Sequence, residues 1–375
     1  MKNIEKRKFA MKKLIALLLI AAMILCGCGS NTAAPTTEAP TTPTEAPTTE
    51  ATEAPTETTE APTEPPVVYR NPLNGEVLDE PYTGRVFAVT ISNIRDALPH
   101  YGTMNADILM EMWVNGSIVR DLALYTNIAD AGDIGSVRSD RLMFNQIAKA
   151  YDAIICDAAG SDQVLNDAIN TGVNRMTIDT GSSTDYSYRA KDRVFTFQPD
   201  SKYEHTLFAK GAGLEEFAQK KGFSITQPAD KDYNLRFTED GTPDGETANS
   251  VNVTFTYRNN KKDTTMVYDE SLGKYVYNQY GKVMVVGDTE DPECFTNVII
   301  MLADITRGDV YYTANFTGGG TGYYANGGKI IPITWGCDGE ESPFWFKTVD
   351  GQDLELGVGN TYMAIAPQAS EVFYE

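Results

Sequence analysis

Residues 132–161 read GDIGSVRSDRLMFNQIAKAYDAIICDAAGS, and the first fold prediction rests on this stretch. After Ser139, which we expect to be the N-cap, apolar residues recur at helical spacing: Leu142, Phe144, Ile147, Ala148 and Tyr151. A short β-branched run at 152–157 predicts a buried strand, and Ser161 is expected to cap a second helix over 162–170. Helix, strand and helix in this order indicate an α/β layer.

The loop before the first helix is a candidate anion-binding site. Gly135 allows the backbone to approach a ligand, and Ser136 follows it in the same loop. Arg138 and Arg141 offer planar guanidinium donors beside the free N–H groups of the helix start. The alternative is that both arginines pair with acidic neighbours, which this sequence supplies in quantity.

Two further segments supply candidate site residues. Asp157 ends the predicted strand, where α/β proteins gather functional side chains, so it is a candidate catalytic or ligand-binding carboxylate; capping a turn is the alternative. The run GGGTGYYANGG at 318–328 contains Tyr323 and Tyr324. We expect two tight turns there or, alternatively, a mobile binding loop. The run lacks the GK[ST] ending of a nucleotide-binding P-loop.

The first 27 residues have the pattern of an export signal. Basic residues precede an apolar segment at 14–25, which is too short to span a bilayer comfortably. The segment ends in Leu25, Cys26, Gly27 and Cys28, an arrangement that resembles the lipobox of bacterial lipoproteins. We therefore expect a signal peptide over 1–27 and a lipid on Cys28 that anchors the chain to the extracytoplasmic face of the bacterial membrane. An ordinary secretory signal is the alternative.

Residues 28–66 form a Thr-, Pro- and Glu-rich tether whose composition predicts disorder. The formal net charge of the whole chain is −21. Because nucleic acids and anionic lipid surfaces repel such a chain, nucleic acid is excluded as a partner. The expected partners are the membrane, through the lipid, and a cell-wall or envelope ligand or protein.

The remaining chain is expected to form two domains. Residues 67–226 predict a mixed α/β domain, with a hairpin that turns at 115–117 and a helix over 203–210. Residues 235–375 contain short strands separated by Gly, Asn and Asp, which predicts a β-rich, mainly antiparallel C-terminal domain. The polar stretch 227–234 connects the two.

Side chains suited to catalysis are scarce. The chain contains two histidines, His100 and His205, without a nucleophile motif, and we expect a surface or structural role for His205. No cofactor or metal is expected, since the acidic loop 238–246 does not complete a calcium-binding spacing. The cysteines of the folded part are expected to be free thiols, with a disulfide between the last two as the alternative: Cys156, Cys294 and Cys337.

Several of these segments together resemble the YerB-like bacterial lipoproteins: RNPLNG at 70–75, GDIGSVRSDR at 132–141 with its helix, and GTGYYANGGKIIPITW at 320–335. The resemblance covers most of 70–367. It implies an α/β domain followed by a β-rich domain outside the cytoplasmic membrane, and it implies no established activity. We therefore expect a non-catalytic ligand- or partner-binding envelope lipoprotein. An envelope hydrolase or transferase acting on a wall polymer or peptide is the alternative.

Overall fold

The structure is a computed structural model that describes residues 67–116, 118–181, 184–198, 202–227, 230–287 and 289–375. The predicted signal peptide, the lipidated Cys28 and the tether lie outside the described residues. Within those ranges, no helix is both long enough and apolar enough to cross a membrane.

The described part of the chain contains three α-helices and many short strands. The helices are α1 (Leu142–Tyr151), α2 (Asp162–Thr171) and α3 (Gly211–Lys220). The strands up to residue 210 are β1 (Tyr69–Arg70), β2 (Val77–Leu78), β3 (Phe87–Ser92), β4 (Ile108–Asn115), β5 (Ile118–Tyr125), β6 (Asp133–Gly135), β7 (Ile154–Asp157), β8 (Arg175–Thr177), β9 (Ser187–Arg189) and β10 (Leu207–Lys210). The later strands are β11 (Arg236–Thr238), β12 (Glu246–Thr247), β13 (Ser250–Tyr257), β14 (Asn260–Asp269), β15 (Lys274–Gln279), β16 (Lys282–Val283), β17 (Cys294–Phe295), β18 (Asn297–Ala303), β19 (Ile305–Arg307), β20 (Tyr312–Ala314), β21 (Gly320–Asn326), β22 (Lys329–Gly336), β23 (Trp345–Thr348), β24 (Glu355–Gly357), β25 (Thr361–Pro367) and β26 (Glu371–Tyr374).

The largest sheet has eleven strands, in the order β12-β22-β21-β18-β25-β4-β5-β3-β7-β8, with β23 pairing to β22. Strands from the two halves of the chain meet where β25 runs parallel to β4, with Thr361 opposite Ile108. Strands β3 and β7 are buried along their whole length, as expected of parallel strands that are covered on both faces. One sheet therefore continues through both predicted domains.

A second, six-stranded sheet is built from C-terminal strands. Its order is β16-β15-β14-β13-β26, with β17 pairing to β15, and every pair is antiparallel. In β13, Val251, Val253 and Phe255 are buried at every second position, which is the period of a strand that packs one face on a core. The predicted, mainly antiparallel character of the C-terminal region is confirmed, with β11–β24 and β18–β25 as its parallel pairs among the described residues.

Several predicted elements lie where the sequence placed them. The five apolar residues predicted to line one face of α1 are all buried. Helix α2 begins after Ser161, which holds the predicted N-cap position, although its hydroxyl makes no capping hydrogen bond in the described residues. Strands β4 and β5 form the predicted hairpin, with Asn115 opposite Ile118. Cys156, Cys294 and Cys337 are free and buried.

Two local predictions in the first half are wrong. Helix α1 begins at Leu142 with Arg141 as N-cap, so Ser139 does not cap it. The predicted helix at 203–210 is a short 3-10 turn followed by β10. The physical reason is that β10 lies between β6 and β9 and pairs with both, which outweighs local helical preference. His205, in the 3-10 turn, is buried, which fits the structural role and not the surface role of the two that were expected.

The glycine-rich run at 318–328 has a tight turn at each end, at 317–318 and at 327–328, as expected, but its tyrosines lie in a strand rather than in a mobile loop. Most of it is β21, which forms a hairpin with β22. Gly327 and Gly328 connect Asn326 to Lys329 with φ angles of 58° and 73°. Two consecutive positive φ values suit glycine in a two-residue hairpin turn. The tyrosines are therefore strand residues.

Candidate functional site

Strand β5 carries two adjacent charged residues within an apolar run, Arg120 and Asp121, which are 3% and 0% exposed. Consecutive side chains of a strand point to opposite faces of its sheet. Arg120 therefore joins the loop that the sequence predicted as an anion site, whereas Asp121 joins a fully buried polar network.

The arginine cluster, which we define as Arg120, Arg138 and Arg141, surrounds the loop that precedes α1. Arg120 Nη1 donates to the Ser139 carbonyl at 2.5 Å, and Arg141 Nη1 donates to the same oxygen at 3.2 Å. Because both nitrogens donate to the same oxygen, the guanidinium groups of Arg120 and Arg141 lie close together. Arg138 Nη1 donates to the Glu204 carbonyl at 2.6 Å. Main-chain carbonyls thus orient all three guanidinium groups.

The arginine cluster forms no salt bridge with a carboxylate of the described residues, although Asp140 lies near Arg120 and Arg141, and Glu204 lies near Arg138. No Asp or Glu of the described residues has a carboxylate oxygen within 4.0 Å of a guanidinium nitrogen of Arg120, Arg138 or Arg141. Burial lowers the pKa of the Arg120 guanidinium, and Arg141 and Arg138 lower it further by repulsion. The Arg141 guanidinium carbon lies 5.2 Å from the centre of the Tyr311 ring. Positive charge is therefore concentrated here in a strongly acidic chain.

The loop itself is held against the sheet by backbone hydrogen bonds. Strand β3 pairs with β7 only up to Val89. Beyond that point the Arg138 N–H donates to the Thr90 carbonyl at 2.9 Å, and the Ser92 N–H donates to the Ser136 carbonyl at 3.0 Å. The loop thus takes the place of β7 next to the carboxyl end of β3, which fixes the backbone that carries Arg138.

Asp157 takes part in a buried ion-pair triad rather than in the arginine cluster. Its Oδ1 accepts from Arg175 Nη2 at 2.6 Å, and Asp140 Oδ2 lies 3.3 Å from Arg175 Nε. Both carboxylates are fully buried. Burial raises the pKa of Asp140 to about 7 and raises the pKa of Asp157 well above its usual value. The triad ties the loop to β7 and β8.

Gly135 ends β6 and Ser136 follows it at the start of the loop that carries Arg138 and Arg141, and both are buried. A Cβ on Gly135 would lie 2.9 Å from the Phe208 ring, so close packing requires glycine there. The Ser136 hydroxyl has no hydrogen-bond partner among the described residues. Of the predicted loop residues, Arg138 and Arg141 are the ones that carry the concentrated charge.

Tyr323 and Tyr324 are remote from the arginine cluster. Their strand, β21, is separated from β5 by β18, β25 and β4, which corresponds to roughly 19 Å at about 4.8 Å per strand step. Tyr324 is buried, and its hydroxyl lies 2.9 Å from both the Gly241 carbonyl and Asn297 Oδ1. Tyr323 is half-buried. The structure does not bring the two tyrosines together with the arginines.

On the other face of β5, a buried network of polar side chains lies between the two sheets. It consists of Asn93, His100, Glu111, Asp121, Lys262, Tyr277, Glu293 and Tyr362. The Glu111 carboxylate accepts from the Tyr362 hydroxyl at 2.5 Å and from the Tyr277 hydroxyl at 3.2 Å, and it contacts the Lys262 ammonium. Asn93 Nδ2 donates to Asp121 Oδ1 at 2.9 Å.

His100 connects two carboxylates of this buried network. Its Nδ1 lies 3.1 Å from Glu293 Oε2, and its Nε2 lies 3.5 Å from Asp121 Oδ2. Burial alone lowers the pKa of His100, but Glu293 and then Asp121 outweigh that effect and raise it. Burial raises the pKa of Asp121 well above its usual value. The network stabilises the contact between strands from both halves of the chain.

Comparisons with known proteins identify the family. A family model described as "Protein of unknown function (DUF3048) N-terminal domain" matches residues 73–224, and the corresponding C-terminal domain model matches residues 251–363. A Bacillus subtilis (strain 168) protein named "Putative lipoprotein YerB" is 26% identical over an alignment of 307 residues, and the match covers 79% of this chain and 86% of that protein. The chain belongs to the YerB-like (DUF3048) family. The resemblance seen in the sequence is confirmed.

A relative of this family member with a solved structure has the same fold. The crystal structure of the YerB protein from Bacillus subtilis matches with a TM-score of 0.67 and 23% identity, over 81% of this chain and 99% of that chain. The arginine cluster lies within the N-terminal family domain, whereas Tyr311 lies within the C-terminal one. The contact between Arg141 and Tyr311 therefore joins the two family domains.

The RNPLNG segment of this YerB-like chain has a structural explanation. Asn71 Nδ2 and Asn74 Nδ2 donate to Asp107 Oδ1 at 3.0 and 2.6 Å, and the Thr126 N–H donates to Asp107 Oδ2 at 2.6 Å. The turn thus surrounds a buried carboxylate at the start of the β4–β5 hairpin.

Sequence reasoning missed Arg120, Tyr311 and the buried network. The available signal was the pair Arg120 and Asp121 inside the otherwise apolar run IVRDLALY. Charged residues are almost never fully buried unless they are paired, so such a pair in a buried strand points to a polar cluster on each face.

Proposed function

We propose that this YerB-like protein is a lipid-anchored, extracytoplasmic binding protein whose arginine cluster binds an anionic group of its ligand. The observation that carries the proposal is Arg120, which is 3% exposed and has no carboxylate of the described residues within 4.0 Å. A buried charge without a counter-charge costs stability. A bound anion supplies that counter-charge, so the arrangement is better suited to recognition than to stabilising the fold.

The chemistry of the cluster favours a phosphoryl group. Guanidinium groups bind phosphate oxygens through paired, charge-assisted hydrogen bonds. Arg120 and Arg141 converge on one carbonyl, and Arg138 extends from the same loop, so one ligand group with three or more oxygens matches them better than a single carboxylate does. We therefore expect a phosphate or diphosphate moiety in the natural ligand.

A binding experiment tests this proposal with inorganic pyrophosphate as the probe. The melting temperature of the full chain in detergent micelles is measured with pyrophosphate. Sodium chloride at equal ionic strength is the control. A ligand that binds only the folded protein raises the melting temperature by mass action. We expect a rise with pyrophosphate that is lost in Arg138→Met and kept in Arg307→Met, which removes an exposed arginine of β19. No rise in the parent chain contradicts the proposal.

The lipid anchor is the second part of the proposal. Support comes from the lipobox-like segment ending in Cys28 and from the name of the Bacillus subtilis relative. We expect Cys28→Ser to release the protein from the membrane fraction of cells, because the lipidated residue is lost. Cys26→Ser is the matched control and leaves the protein in the membrane fraction. Release by both variants or by neither contradicts Cys28 as the anchor.

The hydrolase alternative has less support from the site. The carboxylates of the loop and of β7, Asp140 and Asp157, are fully buried and bound to Arg175, and the exposed carboxylate near Arg138, Glu204, forms no ion pair with it in the described residues. We therefore propose binding without catalysis at this site.

A further inference from the structure

A cavity of about 300 Å³ lies between α1, α2 and two segments of the C-terminal half, and it is distinct from the residues that form the arginine cluster. One wall comes from α1 and α2 in the N-terminal family domain. The other comes from the residues that follow β20 and from the loop between β22 and β23 in the C-terminal one. Cavities between domains are common ligand sites, and this volume suits a small ligand.

Part of the cavity lining is apolar and aromatic. Phe316 and Phe344 line the cavity, with ring centres 5.0 Å apart, and the Trp335 ring packs 6.0 Å from Phe344. These rings pack edge to face on one another, an arrangement that aromatic pairs favour. Cys337, a free thiol that is 7% exposed, also lines the cavity.

The polar side of the cavity carries an acceptor that is oriented but not neutralised. Asp167 of α2 is half-buried, and its Oδ2 accepts from Asn145 Nδ2 at 2.8 Å. The other hydrogen bond from Asn145 Nδ2 goes to the Val164 carbonyl at 3.1 Å, so the amide is fixed. No Lys, Arg or His nitrogen of the described residues lies within 4.0 Å of the Asp167 carboxylate. The carboxylate is thus positioned for a cation from outside the chain.

The charged side chains at the rim of the cavity also favour a cationic ligand. Lys149 lies 3.5 Å from Glu340 and 3.6 Å from Glu341, whose side chains are 80% and 81% exposed. Among the residues that line the cavity, Asp167 and Glu340 thus carry carboxylates and Lys149 carries an ammonium, and Glu341 lies next to Lys149. An anionic ligand is repelled by this excess, whereas a cationic one is attracted.

We propose that this cavity binds a small primary ammonium compound, with its charged group on Asp167 and its apolar body against Phe316 and Phe344. The ligand class follows from the cavity volume, the aromatic wall and the carboxylate that lacks a cation. The site is separate from the anion site proposed above, so either can fail without the other.

Benzylammonium is the probe, and benzyl alcohol is its neutral counterpart of similar shape. Titration calorimetry on the full chain in detergent at pH 7 gives both dissociation constants. A hydrogen bond to a charged group contributes about 1.5–3 kcal/mol, so we expect benzylammonium to bind at least tenfold more tightly. Asp167→Asn is expected to remove that preference. Asp162→Asn, which removes an exposed carboxylate at the start of α2, is expected to keep it.

A second measurement does not depend on any variant. Bound benzylammonium covers Cys337, so it is expected to slow alkylation of that thiol by iodoacetamide at least threefold, read by peptide mass spectrometry. Alkylation of Cys294, which does not line the cavity, is the internal control and is expected to be unchanged. Equal affinity for the amine and the alcohol, or unchanged alkylation of Cys337 at saturating amine, overturns the proposal.

Discussion

Arg120 and Asp121 are neighbours in β5, yet one contacts the Ser139 carbonyl in the loop before α1 and the other contacts Asn93 in the network between the two sheets. The alternation of a β-strand places one charge on each face of the same sheet. One face gives a partly accessible cluster of positive charge, and the other gives a fully buried and largely paired network. We therefore expect the cluster to serve ligand binding and the network to serve the fold.

Replacing Arg120 with methionine is expected to stabilise the unliganded protein. Methionine fills similar space without a buried charge, and Arg141 still donates to the Ser139 carbonyl. We expect the free energy of unfolding to rise by about 1 kcal/mol in urea denaturation, as for other buried charges replaced by apolar residues. A fall of similar size instead indicates that Arg120 serves the fold.

Replacing Arg175 with methionine is expected to have the opposite effect. Its guanidinium is shared by the fully buried carboxylates of Asp140 and Asp157. Removing it leaves both without a cation, and we expect the free energy of unfolding to fall by about 3 kcal/mol or more at pH 8. Arg307, which is exposed, serves as the control. Arg307→Met is expected to change the free energy of unfolding by less than about 0.5 kcal/mol.

Stability is expected to depend on pH through Asp140. Burial raises its pKa from 3.8 to about 7, so the folded state holds a proton that the unfolded state has lost. That contribution is present at low pH and is lost as pH rises through about 7, so it makes the free energy of unfolding decline between pH 4 and pH 8. Asp140→Asn is expected to flatten this decline in denaturation at pH 5 and pH 8. Identical slopes in parent and variant contradict the assignment.

The buried network is tested at two adjacent lysines of β14. Lys262 contacts Glu111 inside the network, whereas the side chain of Lys261 is 59% exposed and pairs with Glu371. Lys262→Met is expected to lower the free energy of unfolding by about 3 kcal/mol, because it leaves Glu111 buried without its cation. Lys261→Met is expected to change it by less than about 0.5 kcal/mol. Equal effects of the two substitutions contradict a structural role for the network.

Elements with a strong local pattern were predictable from the sequence, whereas those set by distant pairing were not. The apolar face of α1 and the β4–β5 hairpin follow from residues within one segment. By contrast, Leu207 belongs to β10 because β6 and β9 lie on either side of it, and no local pattern reports those neighbours. The same limit applies to the site. Arg138 and Arg141 were predictable because both come shortly before a helix start. Arg120 is distant from them in sequence, and only the pairing of β5 in the large sheet brings it near them.

The central claim is that the arginine cluster binds a phosphoryl anion, and calorimetric titration of the full chain with inorganic pyrophosphate at low salt tests it most directly. We expect measurable binding in the parent chain and a dissociation constant at least about tenfold higher in Arg120→Met, because a charge-assisted hydrogen bond is lost. Arg307→Met is expected to match the parent. Absence of binding to the parent chain, or equal affinity in Arg120→Met, contradicts the claim.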